Sequence, residues 1–123
     1  MVTFVWILQI LLALLFSAHG SALIVKPARV RDQLHHLPYS SRFLSFIGVC
    51  EVLGGLGLIL PLGTGILPWL TPLAAAGLAI IMAGAVWTHM SANEGPQIGV
   101  TAVVALLLVV VAYARWPLFS QLA

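Results

Sequence analysis

Four apolar runs, parted by short polar stretches, constrain this chain more than anything else in it. They cover about residues 3–25, 43–60, 68–89 and 97–115. Each holds about 18 to 23 residues, enough at about 1.5 Å rise per helical residue to cross a hydrocarbon core roughly 30 Å thick. None has a polar face wide enough to be solvated, which excludes a buried helix of a soluble domain. Charged residues make up only 7% of the 123 positions. A soluble domain carries roughly a quarter, so the surface of this protein faces a lipid bilayer. The expectation is an all-α integral membrane protein, one domain over residues 1–123 folded as an antiparallel four-helix bundle. Short connections make sequential helices packing neighbours.

Lys and Arg set the orientation. Lys26, Arg29, Arg31 and Arg42 fall in the first connection, and the opposite side offers only Arg115. The positive-inside rule then puts the first and third connections in the cytoplasm and both termini outside. Trp6, Trp69 and Trp116 would share the outer interface as an aromatic belt. The first run is not read as a cleaved signal peptide, because it lacks a basic n-region and is too long for the usual h-region. A net charge of +2 with no basic run leaves no footprint for nucleic acid. Within the first connection, Pro27 and the i, i+4, i+7 spacing of Val30, Leu34 and Leu37 predict a short interfacial helix between the first two spans. His35 and His36 point about 100° apart on such a helix, which suits solvated side chains better than metal ligands.

Against this apolar background Glu51 stands out. It sits mid-run in the second span, whereas Asp32 and Glu94, the other two of the three acidic residues, lie between runs. A carboxylate near the membrane midplane costs a few kcal/mol unless it is paired, protonated or wet. Small residues surround it. Gly48, Gly54 and Gly55 flank it, Ala13, Ser17 and Gly20 line one face of the first span, and Ala75, Ala76, Ala79, Ala83, Gly84 and Ala85 enrich the third. All are expected to pack helix against helix, since small residues let backbones approach in lipid.

Depth counting supplies Glu51 with company. His19 lies about seven residues from the cytoplasmic end of its span and Glu51 about nine, a difference of a few ångströms. His89, with Thr88 beside it, closes the third span on the same side, and Thr101 lies about one turn into the fourth. A polar pocket lined by Glu51, His19, His89 and Thr101 is therefore expected in the cytoplasmic half. Gln9 and Tyr113 lie toward the other half and read as isolated polar residues. A Glu51–His19 pair is able to hold or pass a proton near neutral pH, as acid–base chemistry or quinone protonation requires. The same pair also serves simply to fix the helix register.

Other chemistries recede. Cys50 is the only cysteine, so neither an internal disulfide nor a Cys-x-x-Cys pair exists. The glycines lie within spans and form no phosphate loop. The histidine and carboxylate spacing matches no local metal motif, and no metal is expected.

The run Ile47-Gly48-Val49-Cys50-Glu51-Val52-Leu53-Gly54-Gly55-Leu56-Gly57-Leu58-Ile59-Leu60-Pro61 resembles the second helix of the DoxX-like family. Gly77-Leu78-Ala79, Met82-Ala83-Gly84-Ala85-Val86, Thr88-His89 and Asn93-Glu94-Gly95 extend the likeness over nearly the whole chain. The resemblance implies a compact bundle of membrane helices, here in a bacterial cytoplasmic membrane. Some members of that family resemble the small subunit of a thiosulfate:quinone oxidoreductase or belong to complexes that defend against oxidative stress. Related eukaryotic proteins act as assembly chaperones for receptors. Fold is fixed by such a likeness far better than function. Three readings follow. A membrane subunit binding a quinone or another lipophilic small molecule for an oxidoreductase partner predicts a pocket at Glu51. A non-catalytic assembly protein, acting on another membrane protein or on a second copy of itself, predicts a closed polar core. An intramembrane enzyme using Glu51 and a histidine as acid and base needs room for a substrate.

Overall fold

The structure, a computed structural model, describes residues 2–26, 39–91 and 93–122. Helix α1 is Val2–Val25, α2 is Ser41–Gly57, α3 is the short Leu60–Thr64, α4 is Leu70–Ser91 and α5 is Gly95–Arg115, followed by a 3₁₀ segment, Trp116–Leu122. Four stretches are long and apolar enough to span a membrane: Val2–Val25, Ser41–Thr64, Leu70–Ser91 and Gly95–Phe119. They form an antiparallel bundle, and the described residues contain no strand. The interfacial helix expected around Val30, Leu34 and Leu37, with His35 and His36, falls outside the described residues.

Local chemistry marks the boundaries. Ser40 caps α2, its Oγ accepting the Phe43 N–H at 3.1 Å. The second span runs on beyond residue 60, where its apolar run was expected to end, and passes through Pro61. The missing N–H of that proline breaks the helical ladder around Leu58 and Ile59, yet proline suits the first turn of a helix, and α3 carries the span on to Thr64. Gly65 then ends α3 in a left-handed conformation, φ 76°.

The bundle is two tight hairpins, α1 with α2 and α4 with α5, joined more sparingly through α2–α4 and α1–α5. In the first hairpin the backbones touch. A Cβ placed on Gly20 would lie 2.6 Å from the Gly48 carbonyl oxygen, and one on Gly48 would lie 2.6 Å from that of Gly20. Gly55 packs in the same way on Ser17 and Ala13. Between hairpins, Gly54 and Gly57 accept Leu78 and Ala74. Gly84 corrects the expectation that every small residue packs: a Cβ there would meet nothing within 4 Å.

Gln9, read from sequence as isolated, is fully buried. Its Nε2 donates to the Leu58 carbonyl at 2.6 Å, and its Oε1 accepts from Arg115 Nε at 2.7 Å. The Arg115 guanidinium lies 5.4 Å from the centre of the Trp6 ring. The broken ladder in the second span is thus served by a side chain from α1, as backbone groups at membrane depth require. This tie closes the end of the bundle opposite Lys26 and Arg42. Tyr113, by contrast, faces outward.

Two stability outcomes follow. Gly48→Ala should lower stability by about 1–3 kcal/mol through overpacking, although alanine is the better helix former, while Gly84→Ala should cost nothing. Gln9→Leu should cost about 1–3 kcal/mol for each buried group left unpaired. Thermal unfolding in detergent micelles checks both; equal effects of the two glycine substitutions, or a neutral Gln9→Leu, would contradict the packing described.

Candidate functional site: a carboxylate–imidazole pair in an intramembrane cavity

Glu51 faces away from lipid because Gly48 and Gly55, one turn to either side of it, hold α2 against α1. Its side chain is buried, with 2% exposed, and Oε2 lies 2.7 Å from His19 Nδ1. That is a short contact, of the length charge-assisted bonds adopt. The sequence matched these residues only in depth; the close approach of Gly20 to Gly48, one residue after His19 and three before Glu51, brings the side chains together. His19 Nε2 and Glu51 Oε1 have no hydrogen-bond partner among the described residues. Among the described residues the pair thus bonds through one nitrogen and one oxygen only, and both residues line a single space.

That space is a cavity of about 980 Å³. All four long helices line it, with Phe16, Leu44, Ile81 and Val104 among its apolar walls. It lies in the half of the bundle nearest Lys26 and Arg42, where the hairpins stand apart. The only fully covered residues of α5, Leu108 and Val111, are in the opposite half. Gly84 forms part of the wall, so its missing side chain adds to the space.

Of the expected pocket residues, Glu51, His19, His89 and Thr101 all line this cavity, but only the first two bond to each other. His89 Nδ1 is buried and lies 3.6 Å from Glu94 Oε1, beyond hydrogen-bonding range. Thr101 turns its hydroxyl back to the Gln97 carbonyl at 2.8 Å. Sequence reasoning overlooked Tyr39. Thr88 Oγ1 donates to the Gly84 carbonyl at 3.0 Å, so the Tyr39 hydroxyl, 3.0 Å away, donates to Thr88. This bond ties the residue preceding the Ser40 cap to α4 at the cavity's rim. A tyrosine next to a capping serine at the membrane boundary was its only sequence signal. Among the described residues, no three His, Cys, Asp or Glu side chains gather as a metal-binding group.

The sequence model of the DoxX-like family matches residues 7–111. The chain belongs to the DoxX-like family. The match takes in the Glu51 helix, His19, and both sides of the cavity. No curated protein and no solved structure matches the chain.

The pair is an energetic unit, and a mutant cycle exposes it. His19→Ala leaves a buried carboxyl group without its partner and should cost about 1–3 kcal/mol. Adding Glu51→Leu should recover most of that loss, because the group needing a partner is gone. Thermal unfolding of the single and double variants measures the coupling, and simple additivity would sink the assignment.

Proposed function

We propose that this DoxX-like protein binds a quinone, or another lipophilic small molecule with a polar head, as the membrane subunit of an oxidoreductase in a bacterial cytoplasmic membrane. The observation that carries the reading is the buried Glu51 carboxyl at the wall of a large apolar cavity, its Oε1 without a partner among the described residues. A carboxyl group held at that depth only to lock two helices would be expected to be satisfied on both oxygens. The cavity also counts against a closed polar core of purely structural use.

The residues suit a quinone head. His19 Nε2 is able to donate to a carbonyl oxygen when protonated, and Glu51 Oε1 to accept from a hydroxyl or, when protonated, to donate. Delivery of a proton from His19 Nε2 leaves the Glu51 carboxylate bonded to the Nδ1–H of a neutral imidazole, a net negative pair that a proton taken up from water restores to neutrality. A quinone supplies the two-electron redox chemistry, with the electrons exchanged through a partner protein. His89, Glu94 and Gln97 line the cavity toward the basic end, where protons would enter from water.

Protein purified in a mild detergent should retain a lipophilic molecule detectable by mass spectrometry, and Glu51→Gln should lose at least about 90% of it while remaining folded, a change of about 1.4 kcal/mol or more. Retention of the same molecule by a folded Glu51→Gln protein would refute the role given to the carboxyl group. A wild-type protein that is empty and takes up no added quinone would favour the assembly role.

A further inference from the structure

The cavity has two flanks on which the hairpins meet, and they are not alike. On the α2/α4 flank, the Tyr39–Thr88 bond fastens the basic end, and Gly54 and Gly57 against Leu78 and Ala74 fasten the other. On the α1/α5 flank, the Gln9–Arg115 bond fastens the end away from the basic loop. From there to the basic end no hydrogen bond crosses between α1 and α5 among the described residues. Along that unfastened stretch the cavity-lining Leu15 is 46% exposed, Val100 63% and the His19 side chain 57%; Phe43 and Ile80 on the other flank are exposed as well, so what sets this flank apart is the missing cross-link and the exposed His19. Glu51, directly behind His19, is 1% exposed. The pair is thus reached past His19, at a depth where the surroundings are lipid.

We propose that the gap between α1 and α5 is a lateral portal, through which the cavity takes an amphiphile from the bilayer, its carbonyl or hydroxyl head at His19 and Glu51 and its hydrocarbon chain lying out between Leu15 and Val100. This rests on the reading of the cavity as a ligand site and adds the route, the pose and the need for a chain. The apolar rim matches a chain and offers nothing to a water-borne polar molecule. Placing the head inward and the chain outward lets the ligand keep its apolar part in lipid while its polar part gains the partners that Oε1 and Nε2 lack. Gln9–Arg115 holds the far end of the gap, so the opening is confined to the half that contains the pair.

The test uses the full chain in nanodiscs and decylubiquinone as probe, with the same ring lacking its decyl chain for comparison. Leu15→Trp and Val100→Trp narrow the portal without touching Glu51, and Phe43→Trp and Ile80→Trp crowd the other flank. The portal variants should slow both association and release of decylubiquinone at least tenfold with an affinity within about threefold of wild type, and the chain-free ring should bind at least tenfold more weakly to the wild type. Slowing by the Phe43 and Ile80 variants instead, or equal binding of the two probes, overturns the portal while leaving the ligand site standing. If the wild type binds neither probe, the quinone reading fails, and a fluorophore on Ala85→Cys in a Cys50→Ala background decides the portal alone. Quenching by bromine-labelled acyl chains that Val100→Trp abolishes supports it; quenching that Val100→Trp leaves unchanged overturns it.

Discussion

A carboxyl group inside a bilayer has to be received, and the reception of Glu51 by His19 organises the rest of this protein. The bond joins α1 to α2 at 2.7 Å, a separation that two ordinary helix surfaces would not allow at this point. It needs backbones in contact, and Gly20 against Gly48 supplies that contact. Either residue with a side chain would push the helices apart and separate the donor from the acceptor. Packing and polar pairing are therefore one device here, since the small residues exist where the polar pair needs them. Among the described residues the pair bonds through only one oxygen and one nitrogen, at the wall of the cavity.

The opposite end of the bundle solves a different problem with the same economy. The second span is interrupted at Leu58 and Ile59, just before Pro61, and Gln9 takes up the Leu58 carbonyl there. Arg115 then binds the other end of the same amide and rests on Trp6. One end of the bundle is thus cross-linked by side chains of α1 and α5 and the Leu58 backbone carbonyl at the end of α2. The other end is held at its margin by Tyr39 and Thr88 and otherwise stands open around the cavity. A rigid end and a roomy end are what a bundle needs if it is to admit a molecule without coming apart.

Much of this was legible in the sequence. The span lengths, the short connections and the scarcity of charge dictate four membrane helices, and α1, α4 and α5 begin and end within a few residues of the apolar runs. Glu51 and His19 were matched by counting residues from the membrane boundary, because helical rise is constant and depth converts directly to position. Rotation around the helix axis does not convert so simply. That is why Gly84, one of a series of small residues on α4, lines space rather than a packed interface. Gln9 was missed for a related reason. Its partner is a backbone carbonyl, which no residue type announces. Tyr39 escaped because its bond crosses between segments 49 residues apart.

The functional account comes down to whether the Glu51–His19 pair is intact in a bilayer and presents its free side to the cavity. Solid-state NMR of protein labelled with nitrogen-15 at histidine, reconstituted in lipid, reads both ring nitrogens of His19 separately. The account predicts a strongly hydrogen-bonded Nδ1 whose resonance shifts in Glu51→Gln, and an Nε2 whose resonance shifts when a quinone analogue is added. An Nδ1 resonance that is the same in wild type and Glu51→Gln would contradict it.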